Sequence, residues 1–177
     1  MIMTKEELAN QLAHAKNSYI MGLAAYSLFS SPQSHPILRT HLAVFGPYVV
    51  KFDQVVDLLR NEHDRAVALD EFLKMLMRCL IKESFEHIKD YCEATNQYAA
   101  FKAESWYEFA RIIRNFLSHN CRFEFNVYDS ERLPITWRDK TITAAMDGQG
   151  LDRSFWGHTE TWELYCEFED FVANRLK

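Results

Sequence analysis

From Leu69 to Cys92 the chain keeps one apolar side, through Leu69, Phe72, Leu73, Leu76, Leu80, Phe85, Ile88, Tyr91 and Cys92. Steps of three and four residues place these side chains on one face of a long helix. No Gly or Pro interrupts the run, and a stripe of that length has to be covered by other helices. The whole chain holds only five Gly and four Pro in 177 residues, so long elements joined by few tight turns are expected. With 48% hydrophobic residues it can bury a sizeable core, and one helical domain over residues 1–177 is the simplest reading.

The other elements follow from the same periodicity. Thr4 followed by Glu6 and Glu7 marks a helix start, continued by Leu8, Leu12, Ala15, Tyr19, Gly22 and Leu23 toward Phe29. Ser30 to Pro36 contains two prolines and is expected to be an exposed loop. His41 to Arg60 carries Phe45, Val49, Phe52, Val55, Val56 and Leu59 at helical spacing, kinked or restarted at Gly46-Pro47. Asn61 to Asp64 reads as a polar link before the long helix. From Arg122 the period changes: Phe123, Phe125 and Val127 alternate with polar residues, and Ile135–Trp137 and Thr141–Thr143 flank Arg138-Asp139-Lys140 like a small hairpin. Thr159 is expected to cap a last helix that buries Trp162, Tyr165, Cys166, Phe168, Phe171 and Val172. The expected fold class is all-α, four to five helices with a small β-hairpin and loop insertion, about residues 121–157, before the last helix.

A second helix-forming stretch, from near Ala103 to His119 or Asn120, has an unusual polar side. Trp106, Phe109, Ala110, Ile113, Phe116 and Leu117 form its apolar stripe, and the opposite arc carries Tyr107, Glu108, Arg111, Arg114, Asn115, Ser118 and His119. Asn115 and His119 are four apart, close enough for the amide to fix the imidazole tautomer. Arg114 and His119 are five apart, about 140° around the axis and about 7.5 Å along it, so a phosphate-sized group fits between them. Asn120 suits a left-handed helix stop. The bare spacing recurs at Arg153 and His158, but there Gly157 interrupts it in a loop context.

Arg114-Asn115-x-x-x-His119 at the end of an amphipathic helix resembles the Arg-x(4–6)-His motif of the HEPN-domain superfamily, many of whose members are metal-independent ribonucleases. The polar residue after the Arg, here Asn115, is part of that pattern. The stretch with Leu133-Pro134-Ile135-Thr136-Trp137 and Thr141-Ile142-Thr143 is similar to a plasmid-borne branch of the same superfamily. The resemblance implies a HEPN-like bundle, Arg114, Asn115 and His119 as catalytic residues, and a homodimer in which two motifs meet across a twofold axis. It also implies a defence or toxin–antitoxin setting, RNA as substrate and an antitoxin protein as a further partner.

The chemistry is consistent with those residue types. RNA is cut without metal when a base takes the 2′-hydroxyl proton, a cation stabilises the phosphorane and the leaving oxygen is protonated. An imidazole near neutral pKa serves the first need, and a guanidinium fork the second. Arg111 on the same arc, with Ser118 and Arg122, supplies expected contacts to the substrate. The alternative is a HEPN-like helical module that binds nucleotide, RNA or a protein partner without cutting.

Other classes fit poorly. A net charge of −5 argues against a protein that coats nucleic acid through bulk electrostatics, although residues 102–140 hold seven Lys or Arg against six Asp or Glu. His and Cys lack the paired spacing of a zinc site, and there is no Gly-rich phosphate loop or nucleophile elbow, so no metal and no cofactor is expected. The four Cys show no Cys-x-x-Cys pairing and read as reduced thiols, three of them in helix cores. With no signal-like start and no apolar run near 18 residues, neither secretion nor a membrane span is expected, and the cytoplasm is the expected location. Finally, Glu83, Glu86, His87 and Asp90 share one side of the long helix, where their like charges call for an opposing partner such as Arg111 or Arg114, or else for solvent.

Overall fold

The computed structural model describes residues 3–177. Among them are the helices α1 (Lys5–Ser30), α2 (His35–Leu38), α3 (Asp53–Arg60), α4 (Glu62–Ala94), α5 (Tyr98–Lys102), α6 (Tyr107–Ser118), α7 (Val127–Ser130) and α8 (His158–Asn174). Five of these run to eight residues or more. Two antiparallel hairpins, β1 (Leu42–Phe45) with β2 (Tyr48–Lys51) and β3 (Ile135–Trp137) with β4 (Lys140–Ile142), complete the regular structure. The fold is mostly helical, as the periodicity requires, and no described helix is long and apolar enough to cross a membrane. The packing divides into two compact units, one of residues up to Ser18 and from Met77 onward, the other from Tyr19 to Leu76.

The larger unit is built around α6. Thr4 starts α1 as a reciprocal cap, its Oγ1 accepting from the Glu7 amide at 3.1 Å while Glu7 Oε2 accepts from the Thr4 amide at 2.7 Å. Leu8 and Leu12 of α1, Leu80, Ile81, Phe85 and Ile88 of α4, and Leu164, Phe168 and Phe171 of α8 are all buried. Phe101 of α5 sits among five rings, 5.0 Å from Tyr107, 5.1 Å from Phe85, 5.4 Å from Phe171, 5.7 Å from Trp106 and 6.3 Å from Tyr98. Such pairs add about 0.5–1.5 kcal/mol each beyond area burial. Tyr165 Oη donates to the Leu12 carbonyl at 2.9 Å, tying α8 to α1.

The stretch expected to alternate as a strand from Phe123 does not form one. Phe123 stacks on Phe116 at 4.3 Å and exchanges backbone hydrogen bonds with Gly148 and Gln149, so its pairing is with the loop before α8. Asn126 then caps the one-turn α7 through the Asp129 amide. The second hairpin forms in the expected stretch with a tighter turn: Lys140, expected in the turn, is a strand residue opposite Trp137, Ile135 lies opposite Ile142, and Thr143 falls outside the strand. Trp137 packs on Phe109 at 5.3 Å, and the turn residue Arg138 reaches Glu163 and Glu167 of α8 at 2.6 and 3.2 Å. In α8 the buried face is Thr161, Leu164, Tyr165, Phe168, Phe171 and Val172; Trp162 and Cys166, expected on that face, are exposed.

The smaller unit holds the largest departure from expectation. Leu42 to Lys51 is a hairpin and not part of a kinked helix. Phe45 pairs with Tyr48 across Gly46-Pro47, and Gly46 takes a positive φ of 56°, which the first position of a two-residue II′ turn demands. The β-branched run of Val44, Val49 and Val50 favours the extended state. The stretch Ser30 to Pro36, expected as an exposed loop, is partly ordered as a 3₁₀ turn (Pro32–Ser34) leading into α2, and His35 is buried with Nε2 2.9 Å from the Phe29 carbonyl. Asn61 is a cap and not a link, accepting from the Asp64 amide at 3.1 Å as α4 begins. Gly22 lets Leu76 close on α1: a Cβ there would lie 2.2 Å from Leu76 Cδ2.

Candidate functional site

The candidate residues sit along α6 and the turn that ends it. Its buried side holds Phe109, Ala110, Ile113, Phe116 and Leu117 as the stripe requires, and also Ile112. Tyr107, assigned by spacing to the polar arc, is buried at the helix start, and its hydroxyl lies 3.0 Å from that of Tyr98. Burial first, then that hydrogen bond, raise the Tyr107 pKa above the ordinary phenol value. At the other end Arg78 Nε donates to the Leu117 carbonyl at 2.6 Å, satisfying a group with no partner inside the helix. Asn120 and Cys121 then take positive φ values of 53° and 55°. The helix therefore stops at His119, as the Asn120 cap predicts.

Arg114 is held from three sides. Its Nη1 donates to Asn115 Oδ1 at 2.7 Å, its Nη2 meets Glu86 Oε1 of α4 at 2.7 Å, and its guanidinium carbon stands 5.4 Å from the centre of the Phe85 ring. Arg114 Nε is buried without a hydrogen-bond partner. Arg114 and Asn115 are thus brought together, while no side-chain hydrogen bond among the described residues joins Asn115 to His119. Glu86 was legible only as one of four polar residues on a helix side. Its pairing with Arg114 shows which of the two proposed outcomes, an arginine partner or bare solvent, holds for that residue.

His119 is half-exposed at 52%, and its Nδ1 lies 3.2 Å from Glu124 Oε2. That contact leaves Nε2 as the ring nitrogen available for proton transfer to another molecule. Glu124 escaped the sequence reading because the reversal at Asn120 and Cys121, not a helical step, folds it back onto His119. Ser118 Oγ donates to the Arg114 carbonyl at 2.9 Å. Arg122 donates through Nη1 to the Gly148 carbonyl, and its backbone bridges to Gly150, so it braces the turn against the loop before α8.

Arg111, one turn before Arg114, belongs to a separate network. Its Nε donates to Glu108 Oε2 at 2.8 Å and its Nη2 lies 2.5 Å from Asp129 Oδ1, a carboxylate whose side chain is only 2% exposed. Burial works against the Arg111 cation, and the bonds to Glu108 and Asp129 outweigh it, holding its pKa above the usual guanidinium value. Tyr128 Oη donates to Glu108 Oε1 at 3.0 Å, and Arg111 stands 4.8 Å from the Tyr128 ring centre. The network fastens α7 to α6.

The end of α6 offers an exposed imidazole with one nitrogen held by a carboxylate and, five residues earlier, an arginine positioned by an amide and a second carboxylate. Among the described residues no group of three or more His, Cys, Asp or Glu is placed to hold a metal ion. No family model, no curated protein and no solved structure matches the chain.

Proposed function

We propose that the chain is a metal-independent endoribonuclease of HEPN type, with Arg114 and His119 as its working pair. What carries the reading is the end of α6, where a left-handed turn presents His119 to solvent with Nδ1 on Glu124, four residues after an Asn115 that holds Arg114. His119 Nε2 takes the proton from a 2′-hydroxyl, whose oxygen attacks the adjacent phosphorus. Arg114 faces the charge that gathers on the phosphorane oxygens, and the bond to the 5′-oxygen breaks. A proton returned to that oxygen completes a 2′,3′-cyclic phosphate and a 5′-hydroxyl. One protomer supplies few catalytic groups, so the reading includes a homodimer in which a twofold axis doubles the pair in one groove, in a defence or toxin–antitoxin setting.

A second reading is favoured by one observation. Arg114 has a carboxylate partner in Glu86, and Arg111 has two, so the arginines of α6 carry little free charge. A helical module that binds nucleotide, RNA or a protein partner without cutting fits that balance. The experiment that separates the two is cleavage of labelled total RNA in excess chelator by the parent and by Arg114→Ala and His119→Ala proteins of verified fold. Cleavage by the parent alone, leaving cyclic phosphate ends, supports the nuclease. Equal cleavage by all three sinks it. RNA binding that needs Arg114 with no cleavage by any protein selects the second reading.

A further inference from the structure

The unit from Tyr19 to Leu76 contains five Lys or Arg, namely Arg39, Lys51, Arg60, Arg65 and Lys74. Three of them, Arg39, Arg60 and Arg65, line one open cavity of about 340 Å³. Its remaining walls are Pro32, Pro36, Val56 and Leu59, with the buried His35. None of these residues belongs to the candidate site on α6.

Charge on the cavity is poorly matched by the protein itself. Arg39 Nη2 and Arg60 Nη1 both approach the same oxygen of Asp57, each at 3.4 Å, the long end of a hydrogen bond. Arg65 is steered to the cavity by its bond to the Leu59 carbonyl at 3.2 Å and has no carboxylate partner among the described salt bridges. Three guanidiniums against one carboxylate leave two positive charges, the amount a phosphomonoester dianion neutralises. Guanidinium forks suit phosphate oxygens geometrically as well as electrostatically. The volume exceeds what a phosphate alone occupies and lies at the small end of ligand pockets. The proline, valine and leucine walls suit an apolar body attached to the phosphate.

From this cavity we infer that the chain carries an anion site for a terminal phosphomonoester on a compact organic body, with Arg39, Arg60 and Arg65 as its phosphate contacts. The same chemistry is offered by a free mononucleotide and by the 5′-phosphorylated end of an oligonucleotide. Asp57 competes with the ligand for two of the three guanidiniums, so its removal strengthens binding.

The test is titration calorimetry of the full chain with adenosine 5′-monophosphate, adenosine, and short oligonucleotides bearing a 5′-phosphate or a 5′-hydroxyl. Arg39 and Arg60 are 41% and 61% exposed, so the Arg39→Gln/Arg60→Gln protein keeps its fold, checked by circular dichroism. The monophosphate binds the parent and adenosine does not; affinity falls at least about tenfold in the double variant and rises about threefold in Asp57→Asn. Tighter binding of the 5′-phosphorylated oligonucleotide than of the monophosphate identifies a strand end as the ligand, and the reverse order identifies a small molecule. Absence of binding by every phosphate probe, or equal affinity in the parent and the double variant, overturns the site. The Asp57→Asn gain is the readout that a merely structural arginine cluster does not give.

Discussion

Two arginines three residues apart on α6 do different work, and their surroundings say which mutation reports on which property. Arg111 neutralises Asp129, a buried carboxylate, while Arg114 lies at a half-open edge with Glu86. Removing one partner of a buried pair leaves the other charged and desolvated, at a cost of about 3–5 kcal/mol. Partly exposed pairs contribute about 0–1 kcal/mol. Arg111→Leu is therefore expected to lower the urea midpoint severely and Arg114→Ala only slightly, with Arg111→Leu/Asp129→Leu recovering much of the loss because neither charge remains buried. If Arg111→Leu unfolds no more easily than Arg114→Ala, the network is not structural. Nothing in the sequence separates these two residues, because what distinguishes them is Asp129, delivered by a one-turn helix that alternation of apolar residues cannot reveal. The placement of Arg114, Asn115 and His119 at the end of one helix was legible because their spacing is local, while the expected bond from Asn115 to His119 gives way to one from Arg114 to Asn115. Glu124 was not legible, since its approach to His119 depends on two left-handed residues.

At the scale of elements, long helices were readable and short ones were not. Twenty or more residues of unbroken apolar period, as in α1 and α4, leave little ambiguity, whereas Phe45, Val49 and Phe52 satisfy a helical spacing by coincidence within a run of β-branched residues. The two hairpins also differ in what holds them. Trp137 of β3 is buried against Phe109, so Trp137→Ala should cost about 3–5 kcal/mol. The first hairpin shows Val44, Phe45, Tyr48, Val49 and Val50 to solvent, with Tyr48 72% exposed. Tyr48→Thr keeps strand preference and removes little buried area, so its effect should stay within about 0.5 kcal/mol. Thermal unfolding of the two variants checks the pair, and a drop for Tyr48→Thr as large as that for Trp137→Ala would mean that the first hairpin is packed in solution against something the isolated chain does not supply.

For the molecule as a whole, the net charge of −5 constrains how RNA would be engaged on the proposed nuclease reading. An acidic chain gains no long-range attraction for a polyanion, so affinity has to come from a few close contacts, and Arg114 with His119 is the cluster proposed for them. Each phosphate neutralised on a single strand releases about 0.7 of a counterion, so the slope of log affinity against log salt counts the contacts. Two copies of the pair at a twofold site engage about two to four phosphates and give a slope of about −1.4 to −2.8. Arg114→Ala in both copies should flatten that slope by about 1.4. Fluorescence anisotropy of a labelled single-stranded RNA across a potassium chloride series measures both quantities. A steep slope, beyond about −5, would place the binding on a broad basic surface, which this charge distribution does not provide, and would remove the α6 groove as the RNA site. A slope of the expected size that ignores Arg114→Ala would leave the number of contacts right and their location wrong, directing the search to the arginine-lined cavity between α2 and α3.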